Sequence, residues 1–248
     1  MNNTYSNIVS KNILNIEKYK IYLENAMGYY YDKLTFLKHF QKEPKSRYHS
    51  FKYVIEYIKK NNFKNILELG TSRSYVDGRF KGCNESNDKY WEPNNPEKWD
   101  WSAGLFTKVF AEEFKGKVNL DTLDNNKEHL RRCEVMLGKN KKNVTFINSS
   151  SEKYLRDTNK KYDIIYLDTG DMTPVENNAL LQLIEANIIV ERKLLNKNGL
   201  IIIDDVRNPL PKKSGELNEL GKSKYSIPYL LENNFEILID EYQVILKK

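Results

Sequence analysis

Short apolar runs alternate with helical patterns along most of this 248-residue chain, and that alternation constrains its fold more than any other feature. The runs are NILELG, closed by Gly70, then VNLDTLD (118–124), VTFI (144–147), YDIIYLD (162–168) and GLIIIDD (199–205). Ahead of the first, Phe51, Val54, Ile55 and Ile58 share one helix face, with Ser50 as a candidate N-cap and Asn61 and Asn62 ending the helix. Leu105, Phe106, Val109 and Phe110 mark a second helix, and Leu130, Cys133 and Leu137 a third. Leu180, Leu181, Ile184, Ile188 and Leu195 mark a longer one. Apolar strands separated by helices imply a parallel sheet covered on both faces. Right-handed crossovers make it doubly wound. The end of the chain breaks the pattern: FEILI (235–239) and QVIL (243–246) lie too close for a parallel crossover, which needs about a dozen residues. They read as an antiparallel hairpin or one bent strand.

Composition narrows the class. No apolar run approaches the roughly 18 residues of a membrane span. The first residues lack the basic-then-apolar order of a signal peptide, so a cytoplasmic location is expected by default. Cys83 and Cys133 stand far apart, outside any CxxC spacing, which argues against a zinc site or disulfide scaffold and suits a reducing compartment. The net charge of +6 raises nucleic acid as a partner. The lysines are interspersed with acids, as in EEFKGK and SSSEKYLRD, which favours a solvated mixed surface instead.

Acidic residues close several runs. Glu68-Leu69-Gly70-Thr71-Ser72 follows the first strand, Asp124 ends the second, Asp168 the fourth, and Asp204-Asp205 the fifth. With the terminal hairpin, these motifs over residues 50–248 resemble the class I S-adenosylmethionine-dependent methyltransferases. Among those, the chain is most similar to small-molecule and sugar O-methyltransferases of the catechol and macrolide-sugar types. The resemblance implies a Rossmann-like, seven-stranded, mostly parallel sheet with an antiparallel C-terminal strand and helices on both faces. It also implies S-adenosyl-L-methionine lying across the carboxyl ends of the first strands, where open α/β sheets bind ligands.

The resemblance assigns the cofactor to Glu68, Gly70, Thr71, Ser72, Gly104, Asp124, Ser150, Ser151 and Asp168. Glu68 would accept from its ammonium group, and Gly70 lets a ligand approach the backbone. Asp124 would hold both ribose hydroxyls, or N-cap the following helix. Asp121, set back within the strand, competes more weakly. Ser150 or Ser151 would meet the adenine edge, where the family usually has Asp; the alternative is a serine-rich turn with Ser151 as helix cap. Gly104 would stand at a helix N-terminus facing the cofactor carboxylate.

Asp168, Asp204 and Asp205 would meet at one rim, and clustered carboxylates need a cation or proton. In the resembled enzymes a divalent metal such as Mg²⁺ binds there and holds neighbouring substrate hydroxyls, lowering the pKa of one. Helix capping, or direct substrate binding without metal, stays open. The family often reads Asp-Gly-Asp after the fourth strand. Here Asp168-Thr169-Gly170-Asp171 displaces the second acid, leaving Asp171 as a base, a supporting group or a cap beside Asp168 in the catalytic role. His39, His49 and His129 read as structural or surface residues.

Three segments remain. Residues 1–48 read as one or two helices without catalytic signature, a cap over the site or a homo-oligomer contact, ahead of a methyltransferase domain from 49 to 248. Residues 73–101 are loop-like yet aromatic, with Tyr90, Trp99 and Trp101, an inserted lid or acceptor-recognition element. The stretch 206–225 carries Arg207, Lys212, Lys213, Lys222 and Lys224, for an anionic acceptor such as a nucleotide-linked sugar, or for solvent. The leading expectation is methyl transfer to a hydroxyl of a small, sugar-like acceptor. A nucleic-acid or protein methyltransferase on the same fold is the first alternative, weakened by Leu167-Asp168-Thr169-Gly170 standing where base methylases carry Asn-Pro-Pro-Tyr. A silent binding domain is the second. A nicotinamide dehydrogenase is disfavoured because no GxGxxG follows the first strand.

Overall fold

Strand order fixes where a ligand can sit, and here it is 3-2-1-4-5-7-6 in one seven-stranded sheet. The computed structural model describes residues 15–20, 23, 45–72, 105–170, 174–206 and 220–248. The strands are β1 (Asn65–Leu69), β2 (Asn119–Asp124), β3 (Val144–Asn148), β4 (Tyr162–Leu167), β5 (Leu195–Ile203), β6 (Glu236–Asp240) and β7 (Val244–Lys247). β1 to β5 pair in parallel. β7 runs antiparallel to both β5 and β6, so the short terminal connection closes a hairpin as expected. The order reverses between β1 and β4, and a crevice opens there at the carboxyl ends of the strands.

Helices cover both faces: α1 (Arg47–Asn61), α2 (Phe106–Phe114), α3 (Lys127–Leu137), α4 (Ser151–Asp157), α5 (Val175–Glu191) and α6 (Ser226–Glu232). Period-two alternation splits the core. Ile66, Ile164, Tyr166 and Ile202 face α1, α2 and α3. Leu67, Leu167, Ile201 and Ile203 face α4, α5 and α6. Burying each such side chain is worth about 1.5–3 kcal/mol. On the first face Phe106 stacks on Tyr166 with centroids 4.4 Å apart, and Phe51 meets both edge-on. The second face also receives α6, a helix that the apolar pattern did not reveal.

Three local expectations are corrected. Ser50 lies inside α1, because the helix begins a turn earlier with Ser46 as N-cap; the Ser50 hydroxyl donates to Gln243 instead. Leu195 belongs to β5, where a register shift opposite Tyr162 and Ile164 lengthens the strand. Gly199 is required at that bulge, since a Cβ would lie 2.8 Å from the Asp163 carbonyl oxygen. Finally, α5 turns polar residues inward: Gln182 and Glu185 are fully buried while Leu180 and Ile184 are exposed. No helix among the described residues is long and apolar enough to cross a membrane.

Candidate functional site

The ladder continues past the strand ends and draws them to one edge. Gly70 donates its N–H to Leu123 O, Asp168 to Leu69 O and Asp204 to Leu167 O, at 3.0, 2.9 and 3.1 Å. A cleft of about 460 Å³ opens above them, lined by Gly70, Asp124, His129, Ser149, Ser150, Ser151, Asp168, Thr169, Gly170 and Asn178 among others. That volume suits a small-molecule or cofactor site. Gly70 has a stricter reason to be glycine than ligand approach. Its φ is +89°, and a Cβ there would lie 2.3 Å from the Asp168 carbonyl oxygen. The tips of β1 and β4 can close on each other only without that atom.

Asp124 ends β2 inside the cleft. Its Oδ1 accepts from the Asn126 N–H at 2.8 Å, and its Oδ2 meets His129 Nδ1 at 3.2 Å. It does not cap α3, because Asn126 does so by accepting from the Glu128 N–H. His129, read from sequence as structural or surface, faces the cleft from the first turn of α3. Its place five residues after Asp124, on a helix that begins just beyond the strand, was the available signal. Asp121 lies three residues earlier and is taken up by Tyr162 OH at 2.7 Å and Lys160 Nζ at 2.8 Å.

Glu68, Thr71 and Ser72 sit behind the cleft rather than in it. Glu68 is 1% exposed. Ser72 donates to it at 2.8 Å, and the Thr107 and Thr122 hydroxyls also donate to it. Burial raises its pKa, and those hydroxyl bonds only partly offset the rise. Period-two alternation turns Glu68 toward α2, where its oxygens accept from these hydroxyls. Thr71 bonds Thr122 at 2.6 Å. Ser72 accepts from the Thr107 N–H at 2.9 Å, serving an amino-terminal amide of α2 that its own N-cap, Leu105, cannot. Gly104 and Asp171 lie outside the described residues, as do Arg207, Lys212, Lys213 and residues 73–101.

Across the cleft, Ser150 is the N-cap of α4, accepting from the Lys153 N–H, so Ser151 is not the cap. Ser151 is buried and hydrogen-bonds Glu185. Glu185 also accepts from Thr169 Oγ1 at 2.7 and 2.8 Å. Burial pushes its pKa up to about 7. One buried carboxyl thus links the turn after β3 to the turn after β4. Its position on the α5 stripe, four residues after Leu181 and three before Ile188, was a legible signal that sequence reasoning passed over.

The third group is Asp168, Asp204 and Asp205. An oxygen from each lies within 4.8 Å of the others, so the expected convergence is present. Two cations already occupy it. Arg47, from the first turn of α1, gives Nε to Asp204 at 3.0 and 3.1 Å, and Nη2 to Asp204 at 2.6 Å and Asp205 at 3.0 Å. It also lies over the Tyr242 ring, 4.8 Å from its centroid. Gln243 donates to Asp204 at 2.7 Å, and Tyr242 donates to Asp205. Lys222 places Nζ 3.1 Å from Asp168 Oδ1 and 3.3 Å from Asp205 Oδ2. Burial, then the adjacent Asp204 charge, pushes the Asp168 pKa well up. Burial acts upward on Asp204 too, but Arg47, joined by Lys222 and Gln243, holds that carboxylate below its ordinary value. Asp205 takes a left-handed φ of 58°, a conformation that these contacts hold in place. Neither cation was foreseen. Arg47 falls where the sequence shows no catalytic signature, and Lys222 read as an acceptor-binding or solvated lysine, whereas it is fully buried.

No family model and no curated protein matches the chain. Among solved structures, an SAH-bound methyltransferase from Podospora anserina superposes with a TM-score of 0.53 at 16% identity, covering 97% of this chain and 98% of that one. An O-methyltransferase from Bacillus cereus in complex with SAH gives 0.51 at 14% identity, covering 94% of this chain and 100% of the other.

Proposed function

From the Rossmann-like methyltransferase fold that these likenesses establish, we propose that the chain transfers a methyl group from S-adenosylmethionine to a hydroxyl of a small acceptor. The observation that carries the reading is the cleft itself. It joins Asp124 at the tip of β2, the 149–151 turn after β3 and Asp168 at the tip of β4 around Gly70. A ligand with a ribose and a base needs such a row of polar groups at a sheet's switch point.

When bound, the cofactor supplies an electrophilic methyl on a sulfonium sulfur. Asp124 accepts from the ribose hydroxyls, held in place by the Asn126 amide and His129. The Ser149–Ser151 turn borders the adenine end. Asp168 stands at the reacting end and takes the proton of the acceptor hydroxyl, whose oxygen is then free to attack. Much of the acceleration in such a transfer comes from holding donor and acceptor in line. A polyhydroxylated, sugar-like acceptor is the substrate class that the sequence resemblance favours.

Calorimetric titration with S-adenosylhomocysteine tests the reading. The wild type is expected to bind at one site, and Asp124→Ala to weaken binding about tenfold or more, equivalent to about 1.4 kcal/mol. Equal affinity in both proteins would remove Asp124 from the ribose role.

A further inference from the structure

We infer that Lys222 stands where the resembled O-methyltransferases hold a divalent ion, so that the rim of this site works without a metal. The inference deepens the proposed function and rests on it only where turnover is concerned. Lys222 Nζ donates to Asp168 Oδ1 at 3.1 Å and to the Gly170 carbonyl at 3.2 Å, and pairs with Asp205 Oδ2 at 3.3 Å. Two of the three ammonium N–H groups are used by Asp168 and Gly170, and the Asp205 carboxylate lies beside them as an ion-pair partner. The side chain is 0% exposed. Its turn, Gly221–Ser223, is shaped to deliver it: Gly221 has φ +53°, and a Cβ there would lie 3.2 Å from the Asp205 carbonyl oxygen.

The rest of the cluster narrows the oxygens that a divalent ion could use to Asp168 and Asp205 Oδ2, the two carboxylates that Lys222 faces. Both oxygens of Asp204 accept from the Arg47 guanidinium, and one accepts from Gln243 as well. Asp205 Oδ1 accepts from Arg47 and Tyr242. An ion bound by Asp168 and Asp205 would fall within the roughly 4–6 Å at which like charges disfavour each other, facing both Lys222 and Arg47. Mg²⁺ also demands near-ideal octahedral oxygen geometry, which carboxylates already fixed by a guanidinium do not offer. Two built-in cations face the three carboxyl groups and offset most of their charge. Because Lys222 is fully buried with its contacts made to the protein itself, it is a positioning residue. It ties the β4 turn that lines the cleft to the end of β5 and fixes Asp168 by one oxygen.

Mn²⁺ is a spectroscopic probe for the same oxygen ligands, and the full-length chain after chelator dialysis is the material. Titration followed by electron paramagnetic resonance is expected to leave the Mn²⁺ signal of the wild type unbound through the millimolar range. Lys222→Gln, checked for folding by circular dichroism, is expected to bind one Mn²⁺, and Lys222→Arg to bind none. Turnover of the wild type is expected to be unchanged in chelator. Stoichiometric Mn²⁺ binding by the wild type that Asp168→Asn abolishes would overturn the inference. So would a folded Lys222→Gln protein that binds no Mn²⁺, since the lysine would not then be what fills the place. These readouts need no methyl acceptor, so their failure is distinct from failure of the transferase reading.

Discussion

The two sides of the cleft solve one problem in different ways. On the β1–β2 side the buried carboxylate of Glu68 is satisfied by hydroxyls from Ser72, Thr107 and Thr122. On the β4–β5 side Asp204 is satisfied by the guanidinium of Arg47. Burial raises both, yet only the cation reverses the shift: Glu68 stays above its ordinary value and Asp204 falls below. Glu185 belongs with Glu68, since Thr169 and Ser151 donate to it and its pKa is pushed up to about 7. Hydroxyls can hold a buried carboxyl in either protonation state, whereas a guanidinium demands the charge. The β4–β5 rim is therefore fixed as an ionic lattice, and the β1–β2 floor is not.

That difference breaks most visibly at Arg47. Arg47→Ala leaves Asp204 buried without its partner, and loss of about 3–5 kcal/mol is expected in urea unfolding. If it cost no more than removal of a hydroxyl, the ionic lattice would not be what holds the rim. Next comes Glu185. Its pKa is raised on folding, so its contribution is full below the unfolded value near 4.5 and is lost as pH climbs to about 7. Across that window the stability of the wild type should fall relative to Glu185→Gln by up to roughly 3 kcal/mol. Parallel thermal melts from acid to neutral pH measure this, and parallel curves would place Glu185 with the cation-paired class. The smallest effect is expected at Thr107→Val, about 1–3 kcal/mol for one lost donor to Glu68. A cost as large as that of Arg47→Ala would erase the distinction between the two sides.

The sheet was legible because burial on both faces writes itself as apolar runs: YDIIYL is buried at every position of β4. The acidic strand ends were legible for the same reason, since a charge after such a run has to be explained. Which way each acid turns was not. Glu68 and Asp124 both stand near strand tips, but alternation and a one-residue difference in strand length send one beneath the cleft and the other into it. Arg47 lies 157 residues from Asp204 in sequence, and no local pattern links them. Lys222 sat among several lysines in one stretch, and only the packing of its turn against Asp205 separates it from those neighbours. α5 misled by its apolar residues: Leu180 and Ile184 face outward, because the inner stripe serves Thr169 and Ser226 through Glu185 and Gln182.

The proposed transfer requires the methyl donor to lie in the cleft. A crystal soaked with S-adenosylhomocysteine measures that directly. Density is expected along the carboxyl edge of the sheet, with the ribose at Asp124, the base beside Ser149–Ser151 and the sulfur toward Asp168. Density on another surface, or a ribose remote from Asp124, would contradict it.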